Sequence, residues 1–171
     1  MRQFTLFVTL FFSCLPLLYA KGVYQTPAAF IEHAFKQHSP QMHVLWLSKD
    51  EKKEIADILS HPYKRLRIRY WQLANETTWI LEEIGKEKPI TIGVHIQDNQ
   101  ITELKVLTYR ESRGDEVRHS FFTSQFNQVK LTNNNELDKK IDGITGATMS
   151  VRALSKVARL ALWLNQKVKL S

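Results

Sequence analysis

The chain has 171 residues, a formal net charge of +7 and one cysteine, Cys14, which lies in an apolar N-terminal stretch. Arg2, the apolar run from Phe4 to Leu18 and Ala20 before Lys21 predict a secretory signal over residues 1–20, cleaved after Ala20. The mature chain of about 150 residues is then one domain without cysteine. That excludes disulfides, thiolate zinc sites, iron–sulfur clusters and thioether-linked haem.

An uncleaved anchor is the rival reading of the N-terminus. The apolar run falls short of the roughly 20 residues that a spanning helix needs, and Pro16 interrupts it, which favours cleavage. Lipidation of Cys14 is disfavoured by the bulky Phe11 and Phe12 before it. The positive charge suits an anionic surface, either a membrane face or an acidic redox partner. Export and the lack of a recognisable motif argue against nucleic acid.

In chain order, Pro27 to Gln37 predicts a short helix with Ala28, Phe30, Ile31, Ala34 and Phe35 on one side. A stronger helix runs from Ser48 to Leu59, where Ser48 and Glu51 form a capping box and Ile55, Ile58 and Leu59 an apolar stripe. Leu66, Ile68 and Tyr70 alternate with Arg65, Arg67 and Arg69, the period of a strand with one basic face. Thr77–Ile84 follows as a strand, then a turn from Gly85 to Pro89. Ile90–Ile96 and Ile101–Tyr109 flank Gln97-Asp98-Asn99-Gln100 as a β-hairpin. A helix is expected over Gly114–Phe126, with Val117, Phe121, Phe122 and Gln125 on adjacent turns, and Asn133-Asn134-Asn135 reads as a solvated loop. Ile141–Ile144 reads as a short extended segment. Val151, Leu154, Val157, Ala158, Ala161 and Leu162 then recur at helical spacing, with Arg152, Lys156 and Arg159 opposite. These elements define an α+β domain: a twisted antiparallel sheet with flanking helices.

Asp142-Gly143-Ile144-Thr145-Gly146-Ala147-Thr148 stands immediately before that last helix. Helix N-termini attract phosphate, because their first N–H groups lack partners and the macrodipole is positive there. Gly146 and Ala147 carry almost no side chain, so a second protein could approach the backbone closely. The plainer alternative is a turn with a threonine cap before a surface helix.

Asp142, Thr145, Gly146, Ala147 and Thr148 together resemble the motif of the FMN-binding domain family. That family includes flavin-carrying components of the sodium-pumping NADH:quinone oxidoreductase and of the Rnf complex. The resemblance implies that Thr148 carries FMN through a phosphoester, made from FAD by a Mg-dependent flavin transferase, with Asp142 as a hydrogen-bond acceptor or metal partner during the transfer. It extends more weakly through Tyr109-Arg110-Glu111-Ser112, Gly114, Glu116-Val117-Arg118 and Gln125-Phe126, which are similar to small secreted members. Glu111, Arg113 and Arg118 would then line the flavin or fix the loop before the helix; a surface ion-pair cluster explains them equally well. The long extra segments of the respiratory-complex members have no counterpart, which points to a small standalone carrier.

The functional expectation is an exported electron-transfer flavoprotein, periplasmic or otherwise extracytoplasmic, serving a membrane-bound or periplasmic redox partner. It would be a carrier more than an independent enzyme. A non-covalent FMN-dependent reductase and a cofactor-free secreted binding module are the alternatives. The Arg65, Arg67 and Arg69 face reads as the wet side of a strand in preference to a docking patch. His33, His38 and His43 fit no metal-site spacing. Trp46, Trp71, Trp79 and Trp163 read as core aromatics, with stacking on an isoalloxazine ring as the other use.

Overall fold

The structure, a computed structural model, describes residues 22–36 and 38–170. The proposed signal, its cleavage point, Cys14 and the expected helix end at Gln37 lie outside the described residues. The architecture is α+β, with a five-stranded antiparallel sheet in the order β1-β2-β3-β4-β5. The strands are β1 (Gln41–Trp46), β2 (Arg67–Leu73), β3 (Glu76–Ile84), β4 (Pro89–Gln97) and β5 (Gln100–Thr108). The helices are α1 (Pro27–Ala34), α2 (Lys49–Leu59), α3 (Ser120–Thr123) and α4 (Thr148–Leu170).

Local chemistry explains the best-defined ends. Ser48 Oγ accepts the Glu51 N–H and Glu51 returns the bond to the Ser48 N–H, so the capping box starts α2 as the sequence indicates. Asp98 and Asn99 both take left-handed φ, 51° and 62°, which is the two-residue turn that best matches strand twist between β4 and β5.

Helix α4 crosses one face of the sheet. Its Asn165 accepts a 2.7 Å hydrogen bond from the Thr77 hydroxyl, and that hydroxyl accepts the Trp79 indole N–H at 3.0 Å. Asn165 also donates to Asn99 Oδ1 in the β4–β5 turn, so one buried amide ties helix, strand and hairpin tip together. Helix α2 lies beside α4, where Glu54 accepts the Trp163 indole N–H at 2.9 Å. On the opposite face, the Phe30 ring of α1 fills the space that a side chain at Gly93 would need, 2.5 Å from an added Cβ. With cover on both sides, β4 is buried along almost its whole length. Eight residues make α1 only roughly 12 Å long. Among the described residues it contacts β3, β4 and β5 and reaches toward Trp71 of β2, while Met42, Val44 and Trp46 of β1 stay exposed.

The structure departs from the sequence reading at two places. Strand β1 has no counterpart in the sequence reading. The helix expected over Gly114–Phe126 is three short pieces: a 3₁₀ turn at Asp115–Arg118, α3, and a second 3₁₀ turn at Ser124–Phe126, with His119 extended between the first two (φ −76°, ψ 150°). That break shifts the apolar phase, so Val117, Phe122 and Phe126 enter the core while Phe121 is 63% exposed. The Ile141–Ile144 segment leads without regular structure into α4, whose last turn holds Lys167 and Lys169.

Replacing Asn165 with leucine would leave the buried Thr77 hydroxyl without its acceptor and Asn99 without its donor. Urea unfolding is expected to show a loss of about 2 kcal/mol, the cost of orphaned buried polar groups. A loss below about 0.5 kcal/mol would mean that this amide does not hold α4 to the sheet.

Candidate functional site

The motif forms a turn and then a helix start. Ala147 N–H bonds to the Ile144 carbonyl at 3.0 Å, and Gly146 sits inside this turn at φ +85°, a conformation that disfavours any side chain. The Ala147 carbonyl in turn accepts the Val151 N–H at 3.0 Å, which makes Ala147 the N-cap of α4. Alanine brings no side-chain oxygen to the N–H groups of the first turn, and that turn contains no acidic residue. A 23-residue helix therefore presents its positive end uncapped.

The motif is open above its backbone. Asp142, Gly143, Thr145, Gly146 and Thr148 are exposed, whereas Ala147 is buried. Added Cβ atoms at Gly143 or Gly146 would meet nothing within 4 Å. Among the described residues, the side chains of Asp142, Thr145 and Thr148 have no hydrogen-bond or ion-pair partner. The Thr148 hydroxyl is free to react.

Beneath, the support is tight. Tyr109, at the end of β5 and 3% exposed, donates its hydroxyl to the Arg113 carbonyl at 2.5 Å and meets Ser150 Oγ of the first α4 turn at 2.7 Å. Burial pushes the phenol above its ordinary range, so it stays protonated and able to donate. Gly114 packs into this joint at φ +85°; a Cβ there would stand 2.9 Å from the Tyr109 hydroxyl, 3.0 Å from Ser150 Oγ and 3.4 Å from Ala147 Cα. On the other flank, Gln125 clasps the backbone of Asp142, accepting its N–H at 2.8 Å and donating to its carbonyl at 3.5 Å. Gln125 and Tyr109 are thus positioning residues for the motif. Sequence reasoning gave Ser150 no role, and no periodicity could have supplied one.

Glu111, Arg113 and Arg118 are not gathered around Thr148. Glu111 accepts three backbone N–H groups, from Lys86, Glu87 and Lys88, and so holds the β3–β4 turn. Burial acts to raise its pKa, but the N–H groups of Lys88, Glu87 and Lys86 and the Lys88 charge outweigh it and hold the carboxyl below its usual range. Arg118 pairs with Asp115 at 3.2 Å and lies over the Tyr24 ring at 4.6 Å. Arg113 contributes its carbonyl to the Tyr109 joint while its side chain is exposed. Of the tryptophans, Trp79 and Trp163 are core, while Trp46 is 64% exposed on β1.

The donor set suits a phosphate ester. It comprises a hydroxyl at the first helical position, uncapped N–H groups, and Arg152 one turn further on the same flank. Beside the first turns of α4 runs a groove of about 550 Å³ with Ile141 and Val151 in its lining and Lys139, Lys140, Arg152 and Lys156 among its cations. Exposed Met149, next to Thr148, and Phe121, one turn before Gln125, offer apolar surface for a flat ring.

Residues 85–162 match the FMN-binding domain family, a span that runs from the β3–β4 turn through β4, β5, the Tyr109 joint and the motif into α4. This segment is an FMN-binding domain, and FMN is the cofactor it indicates. No curated protein matches the chain. Strands β1, β2 and β3 and helices α1 and α2 lie outside the matched span.

Two glycines separate packing from access. Gly114→Ala is expected to cost more than about 2 kcal/mol, from its left-handed φ and its contact with the Tyr109 joint, whereas Gly143→Ala should leave stability within about 0.5 kcal/mol; chemical denaturation of both variants is the check. The depressed Glu111 pKa gives a pH signature. Its stabilising contribution is complete above the ordinary carboxyl value of 4.5 and is lost as pH falls through the lower folded value. Thermal melts from pH 6 downward should therefore fall more steeply for the wild type than for Glu111→Gln; parallel curves would contradict this linkage.

Proposed function

We propose that the protein is an exported electron-transfer flavoprotein that holds FMN covalently, through a phosphoester on Thr148. The observation that carries the reading is the exposed, unpartnered Thr148 hydroxyl at the alanine-capped start of α4, within the segment matched to the FMN-binding domain family. In the transfer, Thr148 Oγ would attack the flavin-side phosphorus of FAD and lose its proton to a base of the transferase. The pyrophosphate bond breaks and AMP leaves. Asp142, with its carboxylate free and its backbone held by Gln125, is poised to serve the transferase as an acceptor or metal partner. Residues 1–20 act as the export signal and residues 21–171 as the single working domain.

Once attached, the phosphodiester keeps one negative charge against the α4 N-terminus and the Arg152 flank. Bound FMN supplies the redox chemistry; the chain orients it and tunes its potential through burial and nearby positive charge. Among the described residues no group of three or more His, Cys, Asp or Glu side chains is arranged to hold a metal. A carrier serving a membrane-bound or periplasmic partner fits this better than an enzyme with a small substrate of its own.

Intact-mass measurement after co-expression with an active flavin transferase tests the reading. The wild type and Thr148→Ser are expected to gain the mass of one FMN less one water, and Thr148→Ala none. Yellow protein at unmodified mass, whose colour acid precipitation releases, would instead establish a non-covalent flavoprotein.

A further inference from the structure

Among the described residues, the exposed part of the sheet lies on the α1 face at β1 and the Arg67–Arg69 end of β2. Register pairs Met42 with Trp71, Val44 with Arg69 and Trp46 with Arg67, and opposed residues of an antiparallel pair share a face. Met42 is 53% exposed, Val44 37% and Trp46 64%, whereas Ile68 and Tyr70, on the other face of β2, are buried. The Arg67 guanidinium lies 5.5 Å from the centre of the Trp46 ring, and Arg65, next along, pairs with Glu82 at 2.9 Å. Glu82 is the acidic residue on this part of the face and also approaches Arg110 at 3.9 Å. The result is a flat surface of apolar and aromatic side chains with cations among them.

We infer that this β1–β2 face docks the protein on an anionic lipid surface. Apolar side chains with an exposed tryptophan suit the interfacial layer of a bilayer, and arginine suits lipid phosphates. Charge complementarity selects this occupant. A second copy of the chain on the same face would set Arg67 and Arg69 against their own equivalents, and a purely ionic polyanion would leave Met42 and Val44 in water. The face also lies outside the segment that matches the FMN-binding domain, so cofactor binding does not account for it.

The position of the face relative to the motif makes docking useful for electron transfer. Trp46 pairs with Arg67, the neighbouring Arg65 reaches Glu82 at 2.9 Å, and Glu82 pairs with Thr91 and Thr91 with Thr108 at the end of β5, one residue before the Tyr109 joint. The aromatic end of the face and the Tyr109 joint beneath the motif therefore share one end of the sheet, with β1 and β5 at its two edges. This part of the inference rests on the proposed role of FMN; lipid binding itself does not.

The test is co-flotation of the purified protein, with and without flavin, with vesicles of phosphatidylcholine alone or of phosphatidylcholine containing phosphatidylglycerol. Binding is expected on the anionic vesicles, weakening as salt rises. Arg67→Ala with Arg69→Ala should lower it roughly thirtyfold, from about fivefold per cation lost at an anionic surface. Trp46→Ser should weaken it as well, with melting temperature and FMN loading unchanged in each variant. Equal binding to both vesicle types, binding indifferent to these substitutions, or association of the wild type with itself or with an acidic protein but not with vesicles would overturn the inference. A protein that binds vesicles but carries no covalent flavin would defeat the Thr148 reading and leave this one standing.

Discussion

The Tyr109 hydroxyl joins the end of β5 and the Arg113 carbonyl of the loop that follows it to Ser150, 41 residues away in the first turn of α4. Because the phenol is buried, each of these bonds forms where water cannot replace it, and losing one partner would strand the others. Gly114 is required at the same point by both its dihedral and the space available. The joint fixes where α4 begins relative to the sheet, and α4 then orders much of the core along its length.

That rigidity below the motif contrasts with its openness above. The helix begins on alanine, a poor cap, although serine, threonine or aspartate at the same position would satisfy a first-turn N–H and stabilise the helix by about 1 kcal/mol. A cap there would also occupy the donors that a phosphate needs. The free Thr148 hydroxyl, the unfilled space over Gly143 and Gly146, and the Gln125 clasp on Asp142 belong to the same arrangement. The chain forgoes local stability at the surface, and the packed joint beneath keeps the exposed loop in register.

Periodicity and turn chemistry made the central hairpin, α2 and α4 legible, because each signal is local: a two-residue turn at Asp98-Asn99, a capping box at Ser48, a stripe along one helix. The motif was legible as a motif. Its support was not, since Tyr109 and Ser150 are 41 residues apart and meet only when the sheet and α4 are assembled. Strand β1 escaped notice because it is an edge strand whose apolar residues Met42, Val44 and Trp46 face outward, the reverse of the usual pattern. The break at His119 was invisible for a related reason: the apolar spacing from Val117 to Phe122 suits a kinked segment and also resembles one helix.

Phosphorus NMR of the flavin-loaded protein, unfolded in urea and titrated from pH 5 to pH 8, tests the account most directly. FMN esterified to Thr148 is a phosphodiester with no second ionisation, so one resonance should remain with the polypeptide and keep its chemical shift throughout. A resonance that separates from the chain and titrates near pH 6, as a phosphomonoester does, would contradict the account.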